Sequence, residues 1–249
     1  MGTALVTGAS AGLGKEFAWQ LATAGHDVVL VARDAERLDK LAAQLRAYAG
    51  VHAEVIAADL GVRADVERVA DRLRQTERPV GLLVNNAGFA LHQRFSTGSL
   101  EDEEHALDVM VRAVMVLSHA AAVAMRERGR GAILNVSSVA ALMASGTYSA
   151  AKAWVRTFTE GLAAELRGTG VTATALCPGL THTEFHQRAG FGRLAPELAW
   201  LDARRVVTAA LADVRRGTVI STPSLRYTLA SGLLRLLPRR VVRATSRLS

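Results

Sequence analysis

Cysteine, aromatic residues and long apolar runs are scarce in this chain, and the scarcity excludes several classes of protein. Cys177 is the only cysteine among 249 residues, so an internal disulfide framework is impossible. No run of 18 apolar residues predicts a membrane-spanning helix. The first apolar segment, Thr3–Val6, leads directly into a glycine-rich turn without a basic leader or a cleavage site, so we expect no secretory signal. A cytoplasmic protein is the resulting expectation.

Positive charge is unevenly distributed along the chain. The net charge is +7, and residues 225–249 hold six arginines and no acidic residue, so residues 1–224 are close to neutral. Basic and aromatic residues do not alternate elsewhere, which argues against nucleic-acid binding. Residues 225–249 are also rich in leucine and form a basic, leucine-rich C-terminal tail. Its leucines either pack on the domain, which is the simpler interpretation, or make a peripheral contact with an anionic membrane or an acidic partner.

Short apolar segments alternate with longer helical patterns through residues 1–224. Because the segments lack in-and-out alternation, they are typical of parallel strands buried on both faces. The pattern predicts a single α/β domain of the Rossmann type, with a doubly wound parallel sheet and three layers, α/β/α. The predicted strands are Ala4–Thr7, Val28–Ala32, Val51–Ala57, Leu82–Val84, Ala132–Val136, Val171–Leu176 and Thr218–Ser221. The predicted helices are Leu13–Ala24, Ala35–Tyr48, Arg63–Thr76, Leu100–Arg128, Tyr148–Arg167 and Asp202–Arg215.

A glycine-rich turn follows the first predicted strand and opens a helix. It runs from Thr7 to Gly14 and reads Thr-Gly-Ala-Ser-Ala-Gly-Leu-Gly. Glycine lets a backbone approach a ligand closely, and a helix N-terminus offers free N–H groups and a positive dipole to a phosphate. A glycine-rich turn alone is a weak signal, but this one lies in the strand–helix–strand context that dinucleotide binding requires.

The end of the second strand distinguishes the two nicotinamide dinucleotides. A site for NAD usually presents a carboxylate here to the adenosine ribose. In this chain Ala32 stands at that position, and Arg33 after it can pair with a 2′-phosphate. Lys15 is a second candidate cation, whereas Asp34 fits the cap of the next helix. Arg33 can also be a solvated residue at the end of the strand, but the pattern favours NADP(H).

Tyr148 and Lys152 are four residues apart in a helical segment and therefore share one face of the helix. An ammonium group near a phenol stabilises the phenolate and lowers the tyrosine pKa from its usual value of about 10. The pair can then act as a general acid or base. The spacing is common by chance, so its weight depends on the motifs around it.

Six motifs in order give the chain a resemblance to the short-chain dehydrogenase/reductase family, in its branch of about 250 residues, from Thr3 to about Ser221. They are the Thr7–Gly14 turn, Asp59-Leu60, Asn85-Asn86-Ala87-Gly88, Ser137-Ser138, Tyr148-x-x-x-Lys152 and Pro178-Gly179. The resemblance implies an oxidoreductase that passes hydride directly between a nicotinamide and a carbonyl or alcohol substrate, without a metal. It also implies a homodimer or homotetramer that associates through its long helices.

The resemblance assigns roles to individual residues. Tyr148 resembles the acid–base residue, Lys152 the lysine that holds the nicotinamide ribose and lowers the tyrosine pKa, and Ser138 the serine that binds the substrate oxygen. Asp59 is similar to the residue that binds the adenine amino group, and Thr183 to the threonine beside the nicotinamide carboxamide or phosphate. The predicted cofactor-binding residues are Gly8, Ser10, Ala11, Gly12, Leu13, Gly14, Arg33, Asp59, Leu60, Asn85, Ala87, Gly88, Tyr148, Lys152, Pro178, Gly179 and Thr183.

Two positions depart from the family pattern. Met110 stands where the family usually has an asparagine that bends its helix and holds a water linking the lysine to solvent. Methionine offers only a weak sulfur acceptor, so we expect a lower rate, and the alternative is a dinucleotide-binding protein with little or no catalysis. Ten residues separate Ser138 from Tyr148, where the family more often has twelve or thirteen, which predicts a shortened loop on the substrate side.

The segment from about residue 180 to 200 has no clear periodicity and resembles a substrate lid. It contains the aromatic residues Phe185, Phe191 and Trp200, which indicate a hydrophobic substrate or else fix the lid to the domain. His182 and His186 are four residues apart but have no accompanying carboxylate–histidine set, so we expect no metal site.

Overall fold

In the computed structural model, which describes residues 2–91, 93–183 and 197–245, seven strands form one parallel sheet. They are β1 (Thr3–Thr7), β2 (Asp27–Ala32), β3 (Ala53–Ala57), β4 (Val80–Asn85), β5 (Gly131–Val136), β6 (Val171–Leu176) and β7 (Ile220–Ser221). Their order across the sheet is β3-β2-β1-β4-β5-β6-β7. The predicted strands are confirmed, although β3 and β7 begin two residues later than expected and β4 begins two residues earlier.

Helices cover both faces of the sheet, which confirms the predicted three-layer, doubly wound fold. The helices are α1 (Gly12–Thr23), α2 (Ala35–Ala49), α3 (Arg63–Arg74), α4 (Leu100–Leu107), α5 (Ala113–Glu127), α6 (Gly146–Glu165), α7 (Ala203–Arg215), α8 (Leu225–Leu236) and α9 (Arg239–Thr245). Phe17 and Leu38 belong to the core on one face, whereas Val66 and Leu117 belong to the core on the other. Both cores are made mainly of aliphatic side chains.

The sequence pattern Leu100–Arg128 is not one regular helix. A turn of π-helix, Asp108–Arg112, joins α4 to α5. By length and composition alone, Leu100–Glu127 could cross a membrane, but 56% of its most apolar window is buried inside the fold. Because α5 contributes Leu117 and Met125 to the same core as Val66, this segment is buried like a core helix.

The order of the strands creates the site. Strand β1 leads through its helix to β2 on one side, and β4 lies on its other side, so the connections leave the sheet in opposite directions between β1 and β4. In an open parallel sheet, the crevice at the carboxyl ends of such a pair is the place where ligands bind. The glycine-rich turn after β1 and the segment after β4 lie at this crevice.

The C-terminal tail follows the simpler interpretation of its sequence only in part. Leu234 and Leu237 are half-buried. In contrast, Leu225, Leu229, Leu233 and Leu236 of helix α8 are 62–83% exposed, so these four leucines do not pack on the domain. The tail is held instead through Tyr227, which belongs to the partly buried rim of the core, and Val242 of α9 is buried.

Candidate active site

A cleft of about 460 Å³ lies at the carboxyl ends of the strands, and most of the predicted site residues line it. The residues that were predicted and that line it are Gly8, Ser10, Ala11, Gly12, Leu13, Arg33, Asp59, Leu60, Ala87, Gly88, Ser138, Tyr148, Lys152, Pro178, Gly179 and Thr183. Asn86 and Ser137 of the predicted motifs line it as well, and so do residues that the sequence did not single out, among them Arg37, Phe89, His105, Val109 and Thr181. The cleft therefore brings together segments that follow six different strands.

The turn after β1 suits a phosphate. Gly8 and Gly12 have φ values of +65° and +54°, which residues other than glycine rarely adopt. Helix α1 has Ala11 at its N-cap and no acidic residue in its first turn, so no side chain occupies the N–H groups at its start. Such an uncapped, positive helix end is suited to a pyrophosphate.

Gly14 has a different role from the one predicted. It does not line the cleft, and a Cβ atom at this position would lie 2.1 Å from the carbonyl oxygen of Gly8. A glycine is therefore needed here because α1 starts directly against the preceding turn, rather than because a ligand contacts it. Gly14 positions the turn that Gly8 and Gly12 form.

Asn85 does not lie in the cleft, which corrects its prediction as a cofactor-binding residue. Its buried side chain donates to the Ser118 hydroxyl at 3.1 Å and to Asn135 Oδ1 at 2.9 Å, inside the core. The neighbouring Asn86 lines the cleft, and its side-chain amide donates to the carbonyl oxygen of Thr7 at 2.9 Å. Asn86 thus ties the segment after β4 to the turn after β1.

Cationic and acidic side chains stand at the end of β2. Arg33 is exposed and lines the cleft, and it has no ion-pair partner within the part of the chain that the structure describes. Arg37 also lines the cleft, but its guanidinium forms an ion pair of 3.4 Å with Asp34, whose carboxylate caps α2. Lys15 does not line the cleft. Arg33 is therefore the cation best placed for an added phosphate.

Asp59 is held in a fixed orientation at the same end of the cleft. Its Oδ1 accepts a hydrogen bond of 2.9 Å from the backbone N–H of Gly61, and its own N–H donates to Asp65 Oδ2 at 2.7 Å. The latter bond, followed by one from Arg68, holds the pKa of Asp65 below its usual value. A rigid carboxylate here suits an amino group on a flat ring.

Ser138, Tyr148 and Lys152 meet at the other end of the cleft. Ser138 follows β5, and its side chain is hydrogen-bonded to that of Tyr148. Lys152 lies one helical turn after Tyr148 on α6, and its Nζ is 5.7 Å from the centre of the tyrosine ring. Lys152 Nζ donates to the carbonyl oxygen of Val136 at 2.8 Å. The three side chains form one cluster of hydrogen-bonding groups, as predicted.

Burial has the largest effect on the tyrosine pKa in this structure, and its direction is opposite to the lowering expected from Lys152. Burial raises the pKa of Tyr148 to about 12, and the hydrogen bond with Ser138 opposes this rise only in part. Burial also lowers the pKa of Lys152 to about 8, with a smaller opposing effect from Cys177. For both groups, burial of the charged form is the largest influence on the pKa.

Met110 packs beside this cluster. Its sulfur and Lys152 Nζ each lie 3.4 Å from the point that a Cβ on Gly88 would occupy, so all three residues share one small space. The helix is still bent here, since Met110 lies within the turn Asp108–Arg112. The bend therefore does not depend on an asparagine, although a polar side chain next to Lys152 is missing at this position.

A second cavity of about 300 Å³ is also lined by Tyr148, and no sequence pattern predicted it. Glu103, which is 4% exposed, lines it; its carboxylate accepts a hydrogen bond from the Thr147 hydroxyl and another of 3.2 Å from Gln93. Ser145 Oγ is buried there with no hydrogen-bond partner among the described residues. The only sequence signal was helical spacing, because Glu103 shares a face with Ala106 and Met110.

The described ends of the predicted lid are partly ordered by ring contacts. His182 stacks on Trp200 with a distance of 4.8 Å between ring centres, and its Nε2 is 3.0 Å from Glu197 Oε1. Phe185, His186 and Phe191 lie outside the described residues, and with them most of the lid that was predicted at residues 180–200. Among the residues that the structure describes, no group of three potential metal ligands comes together.

Known proteins resemble the chain over most of its length. Residues 2–191 match the family described as short chain dehydrogenase. Sulfoacetaldehyde reductase 2 of Chromohalobacter salexigens is 35% identical over 216 residues, covering 84% of this chain and 85% of that protein. A short-chain dehydrogenase from Sphingobium yanoikuyae, solved in complex with NADPH, is 36% identical, with a TM-score of 0.86 and coverage of 96% and 97%. A bulky-bulky ketone specific alcohol dehydrogenase from Comamonas testosteroni is 31% identical, with a TM-score of 0.82 and 96% coverage of both chains.

Proposed function

The chain belongs to the short-chain dehydrogenase family and is an oxidoreductase with a nicotinamide dinucleotide cofactor, and we propose that it uses NADP(H) to interconvert a carbonyl and an alcohol. The observation that carries this proposal is the cluster of Ser138, Tyr148 and Lys152 at one end of a cleft whose other end is a phosphate-binding turn. The cofactor, when bound, would supply or accept the hydride at its nicotinamide ring.

The preference for NADP(H) rests on the end of β2. Ala32 offers no carboxylate to a ribose hydroxyl, and Arg33 at the same edge presents a guanidinium that pairs with no acidic group among the described residues. A guanidinium makes charge-assisted, often bidentate hydrogen bonds to a phosphate. The NADPH bound to the related dehydrogenase from Sphingobium yanoikuyae supports the same choice.

Three side chains would handle the reacting oxygen. Tyr148 donates the proton to the carbonyl oxygen during reduction, and Ser138 donates a hydrogen bond to the same oxygen. Lys152 holds the nicotinamide ribose and keeps a positive charge near the developing alkoxide. With a pKa of about 12, Tyr148 keeps its proton at neutral pH and can donate it to the carbonyl oxygen.

A hydrophobic carbonyl compound is the proposed substrate class. Phe89 and Leu91 follow the cofactor cleft towards the second cavity, and both pack near Met110 and Tyr148. The Comamonas testosteroni enzyme is named as specific for bulky-bulky ketones, which supports the same substrate class. We further propose a cytoplasmic homodimer or homotetramer with residues 1–224 as its catalytic domain and residues 180–200 as its lid.

The direct test is the oxidation of NADPH in the presence of a panel of aliphatic and aromatic ketones and aldehydes. Replacing Tyr148 by phenylalanine should abolish turnover, since the proton donor is removed while the ring remains. Tyr48→Phe is the matched control, because the Tyr48 side chain is exposed on α2 away from the cleft. The absence of turnover across the panel, or full activity of Tyr148→Phe, would refute the proposal.

A second candidate is a dinucleotide-binding protein with weak or no catalysis. The observation that favours it is Met110, which places a thioether beside Lys152 Nζ. Replacing Met110 by asparagine should raise kcat strongly if the missing polar group limits the reaction, while the affinity for NADPH stays unchanged. A high wild-type kcat that the substitution does not raise would exclude this candidate.

A further inference from the structure

Four leucines on one face of α8 form an exposed apolar surface, which we call the leucine stripe. It consists of Leu225, Leu229, Leu233 and Leu236. Their spacing of four, four and three residues places them along a single line on a helix. Scattered exposed leucines are ordinary on protein surfaces, whereas a contiguous row of them marks a contact surface.

The opposite face of α8 is already used, so the helix cannot turn its leucines inwards. The Tyr227 hydroxyl donates to the carbonyl oxygen of Ala199 at 2.8 Å and accepts from the backbone N–H of Leu180 at 3.1 Å. The Tyr227 ring occupies the space that any side chain on Gly179 would need. The outward direction of the leucine stripe is therefore fixed by contacts with the rim of the cleft.

The helices of the tail also carry exposed arginines. Arg226 at the start of α8 and both Arg240 and Arg243 on α9 are exposed. The whole of residues 225–249 contains six arginines and no acidic residue. A helix with a row of leucines and a basic border is the type that lies in the plane of a membrane surface.

We infer that the leucine stripe docks on an anionic lipid surface, with α8 lying in the plane of the interface. The leucines would enter the boundary of the acyl chains, and the arginines would contact the phosphate groups. A second copy of the chain fits less well. A two-fold contact between two stripes would bring two arginine-rich tails together, and residues 225–249 have no carboxylate to neutralise them.

The test is co-sedimentation of the full chain with vesicles of phosphatidylcholine, with or without phosphatidylglycerol. We expect retention by the phosphatidylglycerol vesicles that decreases as salt is added, and weak retention by phosphatidylcholine alone. The double substitution Leu229→Ser and Leu233→Ser should lower partitioning at least about tenfold. The double substitution Arg240→Gln and Arg243→Gln should lower it about fivefold for each arginine, on the anionic vesicles only.

Matched controls separate this inference from unspecific adhesion. Val62→Ser with Val219→Ser removes two exposed apolar side chains outside the tail, and Arg204→Gln with Arg205→Gln removes two exposed charges outside it. Both control pairs should leave retention unchanged. The inference is overturned if the wild-type chain is not retained, if the controls lose as much as the tail variants, or if light scattering shows that the leucine substitutions convert a dimer into a monomer. The assay does not depend on turnover, so it is independent of the proposed reaction.

Discussion

The ammonium nitrogen of Lys152 lies 2.8 Å from the carbonyl oxygen of Val136, the last residue of β5. Lys152 is therefore anchored to the sheet, and the Ser137 hydroxyl further fixes it by donating to the Lys152 carbonyl oxygen at 2.7 Å. The Lys152 side chain is buried at the end of the cleft, where desolvation disfavours its charged form. A catalytic lysine held in this way should lose its proton at an unusually low pH.

The reduction reaction should therefore decline at mildly alkaline pH. Burial lowers the pKa of Lys152 to about 8, so its positive charge is lost above that pH, whereas Tyr148, with a pKa of about 12, remains protonated. We expect kcat/KM for ketone reduction to be constant through neutral pH and to fall with an apparent pKa of about 8. The measurement is a pH–rate profile with NADPH, and circular dichroism at each pH shows that the fold persists. A profile that stays flat well above pH 8 would contradict the assignment of a charged Lys152.

Lys152→Met should raise stability near neutral pH while it abolishes turnover. The fall of the lysine pKa from 10.5 to about 8 corresponds to about 3 kcal/mol of unfavourable burial. Methionine has a similar length and no charge, but it loses the hydrogen bond to Val136, so we expect a net gain of about 1–2 kcal/mol in the free energy of unfolding. The measurement is urea unfolding of both proteins.

The same comparison has a defined pH dependence. Below pH about 8, Lys152 is charged in the folded and the unfolded chain, so its burial cost is fully present. Between about 8 and 10.5 the folded chain loses this proton first, and the stability that Lys152 contributes rises with pH. The advantage of Lys152→Met should shrink over this interval. An advantage that grows with pH would show that the lysine is not destabilised by burial.

The preference for NADPH over NADH should depend on Arg33 and much less on Arg37. Arg33→Ala should lower kcat/KM with NADPH by roughly 10- to 100-fold, the value of a charged hydrogen bond to phosphate, and should change kcat/KM with NADH little. The matched control is Arg37→Ala, because the Arg37 guanidinium is already paired with Asp34. An equal loss with both dinucleotides would indicate a role for Arg33 in folding rather than in phosphate recognition.

The fold and much of the cleft could be predicted because strand–helix alternation and glycine turns are local properties of the sequence. The predictions that failed concern properties that depend on tertiary contacts. Asn85 and Asn86 have the same side chain, but β4 ends between them. The Asn85 side chain contacts Ser118 in the core, whereas Asn86 lies at the cleft and contacts Thr7. The direction of the tyrosine pKa shift also differs from the expectation, because burial has the largest effect on it and residue spacing alone cannot reveal burial.

The C-terminal tail shows the same limit. Its leucines were expected to cover the domain because apolar side chains normally leave water. Tyr227 instead occupies the contact with the cleft rim and turns the leucine stripe outwards. The buried carboxylate of Glu103 was also missed, since three acidic residues at the start of α4 resemble the exposed, dipole-favoured first turn of a surface helix.

Glu103 should act as a positioning residue for Tyr148. Its carboxylate accepts a hydrogen bond from Thr147, the residue next to Tyr148, and joins the first turn of α6 to α4. Glu103→Ala leaves the Thr147 hydroxyl without this acceptor, whereas the Gln93 amide keeps its bond to the carbonyl oxygen of Ser99, and the loss should cost about 1–3 kcal/mol of stability. We expect kcat to fall several-fold while KM for NADPH is unchanged, because Glu103 does not line the cofactor cleft. Steady-state kinetics and thermal unfolding measure both effects.

The comparison of substitutions decides whether the hydrogen bond itself matters. Glu103→Gln keeps an oxygen that can accept one of the two bonds, so it should recover most of kcat, whereas Glu104→Ala on the exposed face of α4 should have no effect. In a double-mutant cycle, Thr147→Val should reduce kcat in the wild-type background and add little to Glu103→Ala, since both remove the same contact. Additive losses in the double variant would show that Glu103 and Thr147 act separately, because a shared hydrogen bond can be removed only once.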